Sequence, residues 1–134
     1  MITTIGLQSL VYKIIKASNF KSVLNGDVYM GSRPLNSLKN DVVIGSLNLP
    51  DGTVMPGTII VNIFAKDIQN GTSFFPDLKT LENAAKIITP LFDDVYFPEH
   101  STNIDIESQR DYKIDGAQEW AYVIRLKTRT IKKN

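Results

Sequence analysis

The sequence predicts an α+β fold, with two helices packed on one face of an antiparallel sheet of four to five strands. Segment 58–66 alternates its side chains with the two-residue period of a strand, with Ile59, Val61 and Ile63 on one face. Two other segments repeat apolar residues every three or four positions, as amphipathic helices do. Short turns between the strands favour antiparallel pairs, and 134 residues suit one domain spanning 1–134.

The first helix is predicted from an apolar stripe near the N-terminus, which Thr3 or Thr4 could cap. A short helical turn from Ser18 follows. We expect Asn25 and Gly26 to end that turn, because glycine reaches the left-handed conformation without a Cβ clash. The inward-facing positions are Leu7, Leu10, Val11, Ile14 and Ile15 in the helix, and Phe20, Val23 and Leu24 in the turn.

A β-hairpin is predicted in the middle of the chain. An extended piece at 27–31 and a loop at 32–40 precede a strand at 42–49. Segment 50–57 contains the turn-forming residues proline, aspartate and glycine. We therefore expect it to join this strand to 58–66 as an antiparallel hairpin.

The second helix is predicted to follow a polar loop at 69–73. Pro76 suits the first turn of a helix, whereas Pro90 lacks the N–H that a helix interior needs, so the helix kinks or ends near it. The apolar stripe of this helix consists of Leu78, Leu81, Ala85, Ile88 and Phe92.

Two further strands are predicted at 104–108 and 120–131, after an irregular stretch at 93–103. A turn at 114–116 could pair them as a hairpin. The predicted order is therefore helix, strand, strand, helix, strand, strand.

The composition excludes several classes of protein. A net charge of +1 does not suit a domain that is basic throughout, and the absence of cysteine removes disulfides, thiol nucleophiles and thiolate metal sites. No apolar run approaches the roughly 18 residues of a membrane span, and the N-terminus does not resemble an export signal. Phosphate-binding glycine loops and nucleophile-elbow motifs do not occur either.

Two groups of residues are candidates for a metal-binding or catalytic site. His100 has no histidine or cysteine companion at metal-ligand spacing, which favours a solvated loop residue. Asp105 and Glu107 would share one face of a strand, and paired carboxylates can hydrolyse glycosides or hold a divalent cation. A solvated acidic edge explains them more simply. We therefore predict no catalytic residue, no metal site and no cofactor.

Charge is segregated along the chain. Segment 93–119 holds eight acids against two bases, whereas the residues from Arg125 onward include five bases and no acid. In the last predicted strand, Arg125, Lys127 and Arg129 share one face at a spacing of about 6.6–6.8 Å. Such a row can track a phosphate backbone. It can equally be the solvated face of a half-buried strand, whose positive charge balances the negative charge of the acidic segment.

The layout resembles the small phage tail-terminator and tail-completion proteins that join tail to head. An N-terminal amphipathic helix is followed by Asn25-Gly-Asp-Val-Tyr-Met-Gly-Ser-Arg-Pro34, similar to the Gly, Val-Tyr and Pro loop of that family. The strand 59–66 ends in Ala-Lys, as the central strand of the family does. The helix 78–92 and the closing strand 120–129 complete the order, whereas 93–118 is longer and more acidic than the family pattern.

This resemblance implies an α+β protein without enzymatic activity, in a hexameric ring at the head-proximal end of the tail. Its partners would be further copies of itself, tail-tube proteins and head-connector proteins, with DNA passing through the lumen. It would be found in the virion, and in the host cytoplasm during assembly. Arg125, Lys127 and Arg129 would line the subunit interface or the lumen. The loop residues Arg33, Pro34, Leu35 and Lys39 would contact a partner ring.

Two other classes of function stay open. A small nucleic-acid-binding domain would use the basic last strand, and its DNA affinity would depend strongly on salt. An enzyme would use the carboxylates between Asp105 and Asp115, and a divalent metal would then stabilise the fold.

Overall fold

The computed structural model describes residues 2–48 and 54–130, which form two α-helices, eight strands and three short 3-10 turns. The helices are α1 (Thr4–Ala17) and α2 (Leu78–Ile88), and the 3-10 turns cover Phe20–Ser22, Thr89–Leu91 and Pro98–His100. The strands are β1 (Val28–Met30), β2 (Val42–Asn48), β3 (Val54–Lys66), β4 (Ile68–Asn70), β5 (Ser73–Phe75), β6 (Val95–Phe97), β7 (Thr102–Lys113) and β8 (Glu119–Thr130).

Six of the strands form one sheet in the order β1-β2-β3-β8-β7-β6, while β4 and β5 form a separate two-stranded hairpin. β1 is parallel to β2, and the other neighbouring pairs are antiparallel. The class α+β is therefore right, but the prediction of four to five antiparallel strands is wrong. The two edge strands span three residues each, too few to show a two-residue period in the sequence.

The parallel pair at the edge arises from the loop 31–41 between β1 and β2. This loop returns the chain to the end of the sheet where β1 starts, so that β2 runs in the same direction as β1. Val28 therefore lies beside Val42, and Met30 lies beside Ile44. A two-residue turn would have reversed the chain and paired the strands antiparallel.

Helix α1 forms as its sequence predicts. The Thr3 side chain accepts a hydrogen bond of 2.9 Å from the backbone N–H of Gly6, which satisfies one free donor of the first turn. Leu7, Val11 and Ile15 are buried against the sheet. Leu10 and Ile14 are partly buried against the same core. In the turn that follows, Phe20 and Leu24 are buried and Val23 is partly buried.

Helix α2 is capped by Asp77, whose side chain accepts from the Thr80 N–H at 3.2 Å. Pro76 therefore precedes the cap, so the prediction that it lies in the first turn of the helix is wrong. Leu78 also departs from the predicted stripe, because it is 52% exposed. The helix ends at Ile88 and passes into a 3-10 turn that contains Pro90, as predicted.

Both helices pack on one face of the six-stranded sheet, where α1 contacts β1 to β3 and α2 contacts β3 and β8. Each large apolar side chain buried there contributes roughly 1.5–3 kcal/mol to folding. No helix of the described residues covers the opposite face, and none is long and apolar enough to cross a membrane. The sheet residues of the shared core are Val42, Ile44, Ile59, Val61, Ile63, Ala65, Ile104, Ile124 and Leu126.

Several strand boundaries differ from those predicted. β7 extends beyond the predicted strand 104–108 at both ends, and β8 begins one residue before the predicted strand 120–131. The predicted end of that strand, residue 131, lies outside the described residues. The polar loop predicted at 69–73 is the tip of the β4–β5 hairpin, with Gly71 at a φ of 65°. The predicted irregular stretch contains β6. The predicted pairing of 42–49 with 58–66 is confirmed, although part of its connection lies outside the described ranges.

Candidate functional site

The sheet surface opposite the helices is the main candidate site, and we call it the helix-free face. Strand register places the predicted basic row there, since Arg125 pairs with Ile60 and Lys127 with Thr58 in β3. Arg129 lies beyond them, opposite Asn103 in β7. The helix-free face includes Val43, Gly45, Ile60, Asn62, Phe64, Asn103, Asp105, Ser108, Arg110, Tyr112, Val123, Arg125, Lys127 and Arg129.

The three predicted cations share this face, and they are not neutralised by close carboxylates. Among the described residues, no carboxylate oxygen lies within 4.0 Å of Arg125, Lys127 or Arg129. Asp105 is the cross-strand neighbour of Lys127, and with Asn103 and Tyr96 it lines a cavity of about 350 Å³ beside the basic row. The row is therefore available to a ligand or to another chain.

A β-bulge in β7 brings a fourth cation to the face. The register shifts between Ile106 and Ser108, so that Ser108, Arg110 and Tyr112 lie on the helix-free face. Unbroken alternation from Asp105 would have placed residues 107, 109 and 111 there instead. The sequence analysis missed Arg110 because the strand predicted there ended at residue 108, whereas β7 runs to Lys113.

The bulge lies within the predicted pair of carboxylates, Asp105 and Glu107. Asp105 keeps its place opposite Lys127, and its Oδ1 accepts from the backbone N–H groups of Asp94 (3.0 Å) and Ile106 (2.8 Å). Glu107 lies at the register shift and has no cross-strand partner in β8, so the predicted sharing of a face with Asp105 stays a prediction. Across the described part of the chain, no three acidic or histidine side chains are placed to hold a metal ion, and His100 ends a 3-10 turn.

The loop 31–41 covers one end of the helix-free face and is held there by Arg33. The Arg33 guanidinium lies 4.2 Å from the centroid of the Phe64 ring, and its Nη2 is 2.5 Å from Oε1 of Glu119. Glu119 Oε2 is 2.9 Å from Lys66 Nζ, and Asp41 Oδ2 is 3.6 Å from Arg33 Nη1. We call these five residues the Arg33 clamp.

The two carboxylates of the Arg33 clamp are buried, and hydrogen bonds join Asp41 to the loop around it. The Asp41 and Glu119 side chains are 1% and 2% exposed, against 19% for Arg33. Asp41 also accepts from the Ser37 hydroxyl at 2.6 Å and from the Asp27 N–H at 3.1 Å. Two cations thus balance two carboxylates in a buried network, which such groups need in order to be stable there.

The clamp changes the interpretation of the predicted partner-contact loop. Arg33 points inward and binds Glu119, so its guanidinium is committed to the fold. Pro34, Leu35 and Lys39 are exposed, as a contact loop requires. Leu35 is 93% exposed and its neighbour Leu38 is 84% exposed, although both are apolar. We call Leu35 and Leu38 the loop patch.

A second exposed apolar cluster lies on the β4–β5 hairpin and the start of α2. Ile68 and Phe75 are cross-strand partners in the hairpin. Ile68, Phe74, Phe75 and Leu78 are 42–53% exposed, and we call them the hairpin patch. Sequence reasoning assigned 69–73 to a polar loop and Leu78 to the core, so it missed this surface.

Both patches emerge from the same end of the sheet. β3 ends at Lys66 opposite Glu119, the anchor of the loop, and Ile68 follows two residues later. The backbone N–H of Asp67 donates to the carbonyl of Gln118 at 2.9 Å, which fixes the departure of the hairpin from this end.

An ion pair joins helix α1 to the segment before β2. Lys16 Nζ lies 2.5 Å from Asp27 Oδ1. The hydrogen bond from Lys16, and then that from the Val28 N–H, lower the pKa of Asp27 below its ordinary value, and the same pair raises the pKa of Lys16. Because the Asp27 N–H donates to Asp41, this pair connects the helix layer to the Arg33 clamp.

No family model, curated protein or solved structure matches this chain. The resemblance to tail-terminator proteins therefore stays a prediction.

Proposed function

We propose that this protein is a structural subunit at the head–tail junction of a phage or prophage. In this proposal it is a tail-terminator or tail-completion protein that forms a homo-oligomeric ring, caps the tail tube and joins it to the head. It has no enzymatic activity and needs no cofactor. Its partners are further copies of itself, tail-tube proteins and head-connector proteins, and it is found in the virion and in the host cytoplasm during assembly.

The observation that carries the proposal is the presence of two different exposed apolar patches at one end of the sheet. Single exposed apolar residues are normal on soluble proteins, whereas clusters mark contact surfaces. The loop patch holds two leucines on a clamped loop, and the hairpin patch holds two phenylalanines among its four residues. In this proposal the leucines of the loop patch on one chain contact the phenylalanines of the hairpin patch on the next.

Contact between two different patches is a head-to-tail interface, and such an interface generates a ring when the rotation closes. The segregated charge supports the same arrangement. Exposed acids of β7 and the following turn, such as Asp111 and Asp115, could face a neighbour's basic row. Charge of this kind contributes to orientation and association rate more than to affinity.

The test is the solution mass, measured by light scattering after size exclusion at increasing protein concentration. We expect the wild-type chain to approach six times 15.0 kDa. The double substitutions Leu35→Ser/Leu38→Ser and Phe74→Ser/Phe75→Ser should each give monomers. Ile5→Ser is the matched control, because Ile5 is 71% exposed on α1 and belongs to neither patch, and it should assemble like the wild type.

Mixing the two double variants tests the head-to-tail geometry. One variant keeps an intact hairpin patch and the other an intact loop patch, so one good contact is possible and assembly should stop at two chains. Homodimers of either variant alone would contradict the head-to-tail arrangement. A wild-type chain that stays monomeric at every concentration and does not bind preformed tail tubes would contradict the ring proposal.

A further inference from the structure

A cavity of about 580 Å³ lies on the helix-free face between β2, β3, β8 and β7. Its floor is apolar and includes Val43, Ile60 and Val123. Asn62, Ser108 and Tyr112 add an amide and two hydroxyl groups to its wall. The volume is within the roughly 300–1,000 Å³ of small-molecule sites, and polar residues outnumber apolar ones in the lining, which suits a polar ligand.

Two guanidinium groups, Arg110 and Arg125, also line this cavity. Arg110 pairs with Val123 and Arg125 with Ser108, so the two arginines are diagonal neighbours across β7 and β8. Diagonal neighbours lie about 7–8 Å apart, within reach of side chains as long as arginine. Two cations that line one cavity repel each other, and an anion bound between them removes that repulsion.

No carboxylate is among the described residues that line the cavity. The bulge in β7 produces this result, because unbroken alternation from Asp105 would have turned Gln109 and Asp111 toward the cavity in place of Ser108 and Arg110. Asp111 instead faces the helix layer beside Tyr122.

The cavity is also open above its β2 wall. A Cβ atom added at Gly45 would meet no atom within 4 Å, so the strand presents bare backbone to this space. A glycine in a strand interior weakens the strand and often marks a place where a ligand approaches the backbone.

We propose that this cavity binds the phosphate group of a nucleotide-sized ligand. The Arg110 and Arg125 guanidinium groups hold the phosphate oxygens, for which the planar fork of arginine is well matched. Ser108 and Tyr112 offer further hydroxyl donors, and the body of the ligand lies on the apolar floor beside the Gly45 backbone. The site lies within one chain and does not depend on ring formation.

The test uses calorimetry at about 50 mM salt to measure the binding of three probes. The probes are inorganic phosphate, adenosine monophosphate and an eight-residue oligothymidylate. We expect saturable binding of at least one nucleotide probe. Arg110→Gln and Arg125→Gln should each weaken it by roughly tenfold or more, because each removes charge-assisted hydrogen bonds. Lys79→Gln is the control, since it makes the same charge change on the exposed surface of α2 and should leave affinity unchanged.

Gly45→Leu tests the cavity without changing its charge. The leucine should fill the space above β2 and abolish binding, while its denaturation midpoint shows that the fold persists. Gly45→Ala, a smaller change, should weaken binding less.

The probes also separate the two sources of a phosphate ligand. Equal affinity for the mononucleotide and the oligonucleotide would assign the site to a free nucleotide. Preference for the oligonucleotide, reduced by Lys127→Gln or Arg129→Gln, would assign it to a nucleic-acid strand that continues along the basic row. The proposal is overturned if none of the probes binds, or if the arginine variants and Gly45→Leu bind as the wild type does. The Phe74→Ser/Phe75→Ser variant should keep the binding, which separates this result from that of the ring.

Discussion

The Arg33 guanidinium donates a hydrogen bond of 2.5 Å to the Glu119 carboxylate, 86 residues further along the chain. This contact ties the loop after β1 to the first residue of β8. The guanidinium also lies over the Phe64 ring, where the attraction of a cation to an aromatic face adds to the ion pair. The loop patch is therefore carried by a rigid anchor.

Both ends of this contact should be needed for stability. Glu119→Gln leaves Arg33 and Lys66 with only Asp41 to balance them, and should cost about 3–5 kcal/mol. Arg33→Met should cost at least as much, because it leaves the carboxylates of Asp41 and Glu119, which are 1% and 2% exposed, with Lys66 as their one cation. Unfolding in urea measures both free energies.

The control for the clamp is Glu82→Gln, which breaks an exposed pair with Lys86 on α2. This change should cost no more than about 0.5 kcal/mol. Equal losses for Glu119→Gln and Glu82→Gln would show that burial of the clamp contributes nothing to stability.

Acid should weaken the fold partly through Asp27. Its folded-state pKa lies below the ordinary value of 3.8, so its contribution is present above that value and is lost as the pH falls through the folded pKa. The free energy of unfolding of Asp27→Asn should therefore fall less steeply than that of the wild type between about pH 4 and pH 2. Parallel curves for the two proteins would contradict the pairing of Asp27 with Lys16.

Alkali should act through Tyr122. Burial, and then the charge of Asp111, raise its pKa above the ordinary 10.0, so the stability it confers is present below pH 10.0 and is lost as the pH rises through the folded pKa. Tyr122→Phe should flatten this alkaline loss, and should cost about 1 kcal/mol at neutral pH because the 2.6 Å hydrogen bond to Gln109 is gone. Asp111→Asn should lower the pKa in an absorbance titration, and an unchanged pKa would exclude the charge effect.

Two glycines should respond in opposite ways to alanine. A Cβ at Gly26 would lie 2.1 Å from Asp41 Oδ1 and 2.3 Å from the Asn40 carbonyl oxygen, so Gly26→Ala should destabilise by about 1–3 kcal/mol or more. Gly45→Ala meets no neighbour within 4 Å and should be neutral or stabilising by up to about 1 kcal/mol. Thermal unfolding of the two variants compares them directly, and similar melting temperatures would contradict the close approach at Gly26.

Local signals in the sequence predicted the parts of the fold that depend on local structure. The stripe of Leu7, Val11 and Ile15, the cap at Thr3 and the break at Pro90 act over a few residues, and each was found where the pattern predicted it. Gly26 was expected in a left-handed conformation, but it is not among the residues with positive φ, and it is required instead by close packing against Asn40 and Asp41.

Long-range features were not predictable in this way. The pairing of Arg33 with Glu119 depends on the loop 31–41 folding over the sheet, and the parallel register of β1 has the same origin. Of the candidate site, the basic row of β8 followed from simple alternation. Arg110 did not, because the predicted strand ended at residue 108, two residues before it, and because nothing in the sequence marks the bulge that sets its face.

The bulge has a consequence for how this surface can change. Glu107 is the additional residue that lets β7 stay paired with β8 while Arg110 reaches the helix-free face. A second residue inserted before Ser108 would turn every later side chain of β7 to the opposite face of the sheet. Gln109 and Asp111 would then lie on the helix-free face, and Ser108 and Arg110 would face the helices. The charge that β7 presents on this face is therefore set by the number of residues before Ser108 as well as by their identity, and one inserted codon would replace a cation with a carboxylate beside the basic row.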